Sequence, residues 1–162
     1  MPASQPAPVY LRPFAAVDAV AVTPWLAGPG LSLPPGSAAQ DWGPRMVGDP
    51  RVAAWMVEQD GSACGFLRLD IGPDRIAELT IVVAPGLRRR GIGSTALARL
   101  VEEARSRGLH RLQAMVEPSH AEAMEFFVEQ GFEVAGSQVA GRLRLDLLLH
   151  AARGDAPLEI VP

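Results

Sequence analysis

The strongest constraint in this sequence is the stretch 82–95, which joins an apolar, valine-rich run to the start of an amphipathic helix. The connecting loop carries three consecutive arginines at positions 88–90, followed by Gly91 and Gly93. The first N–H groups of a helix lack partners within it, and the helix dipole makes that end partly positive, so an anion binds there favourably. Glycine has no Cβ, which permits close approach of a phosphate and a positive φ angle. The stretch therefore predicts a strand, a phosphate-binding loop and a helix capped by Ser94 or Thr95.

Two better-known glycine motifs fit this loop less well. A Walker A loop needs lysine followed by serine or threonine after its last glycine, and no lysine stands there. The dinucleotide fingerprint tolerates Ala96 as its third small residue, but a Rossmann unit opens with this loop, whereas several predicted strands precede it here. A plainer alternative stays open, in which the arginines form a solvated surface turn that the glycines shape.

The segment from Arg88 to Gly93 resembles the R/Q-x-x-G-x-G/A signature of the GCN5-related N-acetyltransferases, the GNAT superfamily. Further along, a strand at 112–116 and a helix that closes on Gly131-Phe132 resemble the second motif of that family. Near the start of the chain, residues 11–19 are similar to its first strand and the beginning of its first helix. The resemblance covers residues 9–149.

The resemblance implies an α/β (α+β) fold, with a mixed, largely antiparallel twisted sheet, helices on both faces and a gap where the fourth and fifth strands splay apart. It implies acetyl-CoA as co-substrate in that gap, with main-chain groups of Ile81 and Val83 pairing with the pantetheine arm. The implied pyrophosphate loop consists of Arg88, Arg89, Arg90, Gly91, Ile92, Gly93, Ser94 and Thr95.

Composition favours one domain. With 162 residues, 48% of them hydrophobic, the chain has material for one sizeable core. We expect a loose tail at 1–8, a single domain at 9–150 and a second tail at 151–162. The net charge of −3 disfavours a general nucleic-acid binder. Cys64 is the only cysteine, so no internal disulfide and no metal site are expected, and a cytoplasmic setting fits. The absence of a membrane-span or signal-peptide pattern predicts a soluble protein.

Apolar periodicity and turn residues predict strands at residues 9–11, 52–58, 64–71, 76–83, 112–116 and 142–147, the last with one wet face. Asp60-Gly61 is a strong hairpin signal between the second and third of these. Asp18 is placed to cap the first helix. A helix at 94–107 is expected to end at Gly108, and Ser119 with Glu122 forms a capping box for the last helix.

The region 28–50 is rich in glycine and proline and predicts loops, which the resemblance places at the acceptor side of the cleft. Trp25 and Trp42 lie on or near these loops. Each tryptophan can plug the edge of the core or contact a substrate, and the sequence leaves both interpretations open.

The resemblance puts Phe127 where a tyrosine often protonates the leaving thiolate, and phenylalanine cannot donate a proton. His120 falls where an asparagine often contacts the cofactor. A thiol pKa near 8.5 makes a thiolate a fairly good leaving group, so the missing tyrosine need not abolish turnover.

Two carboxylates are candidates for the base that deprotonates an incoming ammonium. Glu117 leaves its strand on the face of Gln113 and Met115, close to the expected acyl group. Glu78 shares a face with Thr80, opposite Ile81, so it faces the cleft only if a bulge reverses the strand. A solvated surface role stays open for both carboxylates and for His120.

Two classes of function follow. The first is an acetyl-CoA-dependent N-acyltransferase that acts by direct transfer on a primary amine of a small molecule or peptide. The second is a non-catalytic acyl-CoA-binding module, suggested by Phe127. A member of the fold that acylates nucleic acid is a weaker third because the net charge is acidic. No nucleic-acid or membrane partner is expected, and a homodimer is allowed.

Overall fold

The computed structural model describes residues 7–27, 39–87, 91–139 and 141–149. The expected tails lie outside these ranges except for residues 7 and 8, and so does the first part of the expected loop region, 28–38. In the described part of the chain, no helix has the length and apolar character needed to cross a membrane.

Within these ranges, seven strands form one sheet in the order β1-β2-β3-β4-β5-β7-β6, and only the β4–β5 pairing is parallel. The strands are β1 (Val9–Pro13), β2 (Val52–Gln59), β3 (Ser62–Ile71), β4 (Ile76–Val83), β5 (Arg111–Val116), β6 (Glu133–Val139) and β7 (Arg142–Leu148). The helices are α1 (Ala19–Val22), α2 (Ala39–Val47), α3 (Ile92–Ser106) and α4 (Ala121–Glu129). The mixed, largely antiparallel sheet expected from the sequence is confirmed.

The hairpin between β2 and β3 is confirmed at Asp60-Gly61. Both residues have positive φ angles, 53° and 76°, which is the backbone of a type I′ turn. This turn matches the twist of the two strands and starts the antiparallel pairing Gln59↔Ser62. The meander then continues through β3 into β4.

The β4–β5 pairing is short. It consists of Ile76↔Arg111, Ala77↔Leu112 and Glu78↔Gln113, although β4 continues to Val83 and β5 to Val116. β4 stays in register with β3, and β5 stays in register with β7, up to their ends. The two central strands therefore diverge, and the expected splayed gap is confirmed.

Helices cover both faces of the sheet. On one face, α3 and α4 pack on the main core, where Leu97, Leu100 and Phe127 meet buried strand residues such as Leu67 and Leu112. On the other face, a smaller cluster that includes Phe14, Val22, Met46 and Phe66 lies under α1 and α2. Apolar residues of β4 alternate between the two clusters, Leu79 in the first and Val82 in the second.

The helix α2 lies within the region predicted to consist of loops, so the prediction is wrong from Ala39 to Val47. Trp42 explains why this segment is ordered. Its ring stacks on Phe14 at 5.7 Å between centroids, meets Phe66 edge-on at 6.0 Å, and its Nε1 donates a hydrogen bond to Thr23 Oγ1 at 2.9 Å. Gly43 lets α2 approach closely, since a Cβ there would lie 2.6 Å from the Ala16 carbonyl oxygen.

Several local predictions near helix ends are wrong. Asp18 is the N-cap residue of α1 as predicted, but its carboxylate makes no cap bond and instead accepts hydrogen bonds from Arg12 and from the Ala15 N–H. The N-cap of α4 is His120, which makes no side-chain cap bond, so the Ser119 capping box is absent from the described structure. The left-handed Gly108 after α3 is confirmed, with φ 76°.

The sheet also contains an unpredicted strand, β6, which pairs with β7 at the edge of the sheet. β7 therefore lies between two strands. Leu143 and Leu147 pack on the main core, and the residues that alternate with them, including Arg144 and Asp146, are half-buried. The predicted wet face of the last strand is thus only partly exposed.

Candidate active site

A cleft of about 680 Å³ occupies the gap between β4 and β5. Its walls are the diverging parts of the two strands, the first turn of α3 and one side of α4. Residues from both faces of β4 line the cleft, including Ile81 from the main-core face and Thr80 from the other. Both faces of β4 therefore contribute to its wall.

The first turn of α3 borders the cleft through Gly91, Gly93 and Ser94. Gly91 is the N-cap, with φ 79° and open space where a Cβ would stand, so the predicted cap at Ser94 or Thr95 is wrong. The N–H groups that follow Gly91 start the helix and include the donors without intrahelical partners. The geometry gives an anion a place at the positive end of a fifteen-residue helix.

The other residues of the predicted loop have different places. Arg88, Arg89 and Arg90 lie outside the described residues. Ile92 is 3% exposed and packs in the main core. The hydroxyl of Thr95 donates to the carbonyl of Gly91 at 3.1 Å.

Gly93 is needed for packing rather than for a positive φ angle, which corrects the sequence argument. A Cβ on Gly93 would lie 3.3 Å from the ring of Phe126 on α4 and 3.7 Å from Val83. Nearby, Gln130 Nε2 donates to Ser94 Oγ at 3.0 Å. These contacts hold the start of α3 against α4 along one wall of the cleft.

The main chain of Ile81 faces the gap. Ile76 and Ala84 use their main-chain groups on the β3 side, and successive residues of a strand alternate sides, so Ile81 and Val83 have the parity that faces β5. Ile81 lies beyond Glu78, the last residue of β4 that pairs with β5. This edge has the geometry to pair with an extended ligand as an added strand would.

Phe127 and His120 both line the cleft. Phe127 is 7% exposed and makes edge-on contacts with Phe126 and Phe132, at 5.2 and 5.1 Å between centroids. The Phe127 ring is therefore a core residue that also forms part of the cleft wall. His120 is half-buried at the start of α4, and its N–H donates to the carbonyl of Glu117 at 2.9 Å.

The two candidate bases are brought to the same cleft. Glu117 is exposed directly after β5, and Glu78 is exposed at the last pair before the strands diverge. The β3–β4 register has no shift, so no bulge reverses Glu78. Glu78 lines the cleft all the same, so the expectation that it needs a bulge is wrong; it stands at the point where β4 and β5 part.

Four charged residues of the cleft were missed in the sequence. Glu122, Glu125 and Glu129 recur on α4 at a spacing that puts them on one side of the helix, a signal that was available. Arg142 comes from β7. Its place depends on the pairing of β7 with β5, which no local pattern reveals.

Trp25 and Trp42 belong to the core on the other face of the sheet. Trp42 and Trp25 pack against the cluster around Phe14, and neither is among the described residues that line the cleft. The core interpretation is therefore supported for both.

Comparisons with solved structures show the fold. Spermidine N-acetyltransferase from Vibrio cholerae, in complex with CoA and spermine, superposes with a TM-score of 0.73 over 87% of this chain and 95% of that one, at 19% identity. A GNAT-family acetyltransferase from Streptococcus pneumoniae gives a TM-score of 0.72 over 88% and 100% of the two chains, at 18% identity.

Sequence comparisons give the family. Mycothiol acetyltransferase from Cellulomonas flavigena is 41% identical over 57 residues, which are 34% of this chain and only 16% of the length of that protein. The model of the Acetyltransferase (GNAT) family matches residues 12–132. Since that match covers well over half of the 162 residues, the chain belongs to the GNAT family of acetyltransferases.

Proposed function

We propose that this protein transfers an acetyl group from acetyl-CoA to the primary amine of a small molecule or peptide, by direct attack in a ternary complex. The observation that carries the proposal is the opening between β4 and β5, which meets the start of α3 at one end and is lined by residues from both faces of β4. In the proposed ternary complex, the two reactants approach one another from opposite sides of this opening. Holding the two reactants together in reacting geometry lowers the activation barrier by several kcal/mol. For the best intramolecular reactions this effect is roughly 7–11 kcal/mol.

The described residues fit acetyl-CoA. The N-terminal turn of α3 supplies donors for the pyrophosphate at Gly91, Gly93 and Ser94, and the open position at Gly91 leaves room for it. The exposed main-chain edge at Ile81 suits the amide groups of the pantetheine arm. Arg88, Arg89 and Arg90 supply positive charge in the sequence next to this turn. When bound, acetyl-CoA supplies the activated acyl group.

In the reaction that we propose, the free amine attacks the thioester carbonyl carbon, the C–N bond forms and the C–S bond breaks. The ammonium form first loses a proton, and the product amide requires the loss of a second. We assign the base to Glu117, which lies exposed in the cleft at the end of β5. The departing thiolate takes a proton from water, since Phe127 has none to give.

The test is release of CoA thiol by the full-length protein from acetyl-CoA across a panel of amines that includes amino acids, peptides and spermidine. Two features of the chain keep the assay clean. The sequence contains 15 arginines and no lysine, so no lysine side chain competes as acceptor. The single thiol, Cys64, is buried, and burial raises its pKa, so it reacts slowly with thiol reagents. Steady turnover with any amine supports the proposal, and saturable CoA binding without turnover would favour the binding module.

Replacement of the candidate bases separates their roles. We expect Glu117→Gln to lower kcat at neutral pH by roughly 10²-fold, as loss of a general base does. The matched control is Glu78→Gln, because Glu78 is also an exposed carboxylate of the cleft, and its kcat should change little. CoA affinity should be unchanged in both. A large loss in the Glu78 variant alone would move the base to that residue.

A further inference from the structure

The side of the cleft opposite α3 and α4 is a polar surface formed by β4, β5 and β7. Leu143, Leu145 and Leu147 of β7 point into the main core, so Arg142, Arg144 and Asp146 lie on the opposite face. The register Gln113↔Asp146 and Met115↔Arg144 continues this surface onto β5.

Most of the charges on this surface neutralise one another. Asp146 lies 3.1 Å from Arg144 and 3.7 Å from Arg111, measured between carboxylate oxygen and guanidinium nitrogen. One carboxylate is thus shared by two guanidinium groups. This leaves little affinity for a ligand at the end of the sheet where Arg111 lies.

Arg142 differs from both of these arginines. It lines the cleft, and within the described parts of the chain its side chain has no hydrogen-bond or ion-pair partner. Among the described cleft residues it is also the only arginine. A half-buried guanidinium with five donors favours an anionic, planar acceptor of hydrogen bonds such as a carboxylate.

Arg142 and Glu117 occupy equivalent positions on neighbouring strands. Each lies one residue beyond the last pair, Val116↔Leu143, and both have the parity of the polar surface. Adjacent strands are about 4.8 Å apart, and side chains at the same level are separated by similar distances. One cationic and one anionic side chain thus stand side by side at the open end of the gap.

We infer that the acceptor is a zwitterionic amine, a small amino acid whose carboxylate binds Arg142 while its amine lies beside Glu117. This inference rests on the proposed function and narrows its substrate class. A single ammonium group would satisfy Glu117 alone and leave the guanidinium of Arg142 unpaired in the cleft. An amino acid pairs both, because it carries an ammonium and a carboxylate group on one small molecule, and long side chains on neighbouring strands can converge on the two groups.

The experiment compares each of several amino acids with its carboxamide, which keeps the amine and the side chain but lacks the negative charge. Dissociation constants are measured calorimetrically on the full-length protein, with and without saturating CoA, so the result does not depend on turnover. We expect the amino acid to bind at least tenfold more tightly than its carboxamide, as a hydrogen bond to a charged group allows. Arg142→Ala should abolish this preference, and Arg142→Lys should retain part of it.

The control variant is Arg99→Ala, which removes an exposed arginine on α3 that does not line the cleft. Its preference should equal that of the unchanged protein. Equal binding of amino acids and carboxamides, tighter binding of polyamines, or a preference that survives Arg142→Ala would each overturn the inference. So would a tenfold loss of CoA affinity in Arg142→Ala, which would make Arg142 a cofactor ligand. If amines are acetylated without this preference, only the acceptor class is wrong, whereas absence of any turnover counts against the proposed function itself.

Discussion

Phe127 contributes both to the stability of the core and to the shape of the cleft. Its ring lies between Phe126 and Phe132 and is 7% exposed, so removal of the ring would leave a cavity in the main core. The same ring lines the cleft at the position where the family resemblance places a proton donor. Phe127 thus affects both the stability of the core and the shape of the cleft. The substitution Phe127→Tyr, which adds one oxygen atom, distinguishes these two roles.

We predict that Phe127→Tyr raises kcat by about tenfold, or extends activity to higher pH, because a phenol with a pKa near 10 stays protonated at neutral pH and can donate to the leaving thiolate. Steady-state rates from pH 6 to pH 10 measure the change.

The matched control is Phe132→Tyr, since Phe132 is 2% exposed in the same aromatic cluster and is not one of the described residues of the cleft. That variant should lose stability, by about 1–3 kcal/mol for an unpaired buried hydroxyl, without a gain in rate. Equal behaviour of the two variants would show that the Phe127 ring does not reach the sulfur.

At the level of elements, the sequence predicts those whose pattern is local. The Asp60-Gly61 hairpin and the apolar face of α3 are in the right places because the turn residues and the 3.6-residue period are written in contiguous residues. The helix α2 was missed because it contains Gly43 and Pro44, both poor helix formers, and packing of Trp42 compensates for them.

β6 was missed for a related reason. Its pairing with β7 shifts register between Val134 and Gln138, and Gly136 within it has a positive φ angle of 78°, so the strand has no clean alternation. For the site, the glycine turn at the start of α3 and the splayed strands could be predicted from the family motif. Arg142 could not, because β7 follows β6 in sequence but pairs with β5 in the sheet.

Arg12 connects three elements. Its guanidinium donates two hydrogen bonds of 3.0 Å to the carboxylate of Asp18, just before α1, and one of 3.1 Å to Glu58 on β2. The hydrogen bonds from Arg12 are the largest of the causes that hold the pKa of Asp18 below its ordinary value. A carboxylate whose pKa is lowered on folding stabilises the folded state at pH values above the pKa of the unfolded chain, about 3.8 for Asp18. That stabilisation is lost as the pH falls through the lower pKa of the folded state.

We therefore predict that Asp18→Asn lowers the free energy of unfolding at pH 7 by about 1–3 kcal/mol, the range for hydrogen bonds to charged groups. The difference from the unchanged protein should shrink as the pH is lowered below 4, because Asp18 itself then becomes neutral. Urea unfolding at a series of pH values measures both effects. A difference that stays constant down to pH 2 would show that the ion pair does not contribute.

At the level of the whole molecule, the gap in the sheet leaves β4 and β5 without direct pairing beyond Glu78. The main-chain edge of β4 at Ile81 lies along an open cleft instead of pairing with β5. The N-terminal turn of α3 borders the same cleft. A ligand that pairs with the strand edge and places an anion at the helix end binds only the folded state, so it must stabilise the whole domain.

We predict that CoA raises the unfolding free energy by about 2.7 kcal/mol at a hundredfold excess over its dissociation constant, which is roughly 5–10 °C in Tm for a domain of this size. Gly91→Glu should remove this shift, because a carboxylate at the N-cap would occupy the anion site with like charge.

The substitution at Gly91 also strains a backbone with φ 79°, so the control is Gly61→Glu, where φ is 76° and a Cβ likewise has no neighbour within 4 Å. Both variants should lose similar stability without ligand, about 1–2 kcal/mol, since each places a side chain in the left-handed region. Only the Gly61 variant should keep the CoA shift, and stabilisation by ATP or NAD but not by CoA would show that the cleft binds another nucleotide.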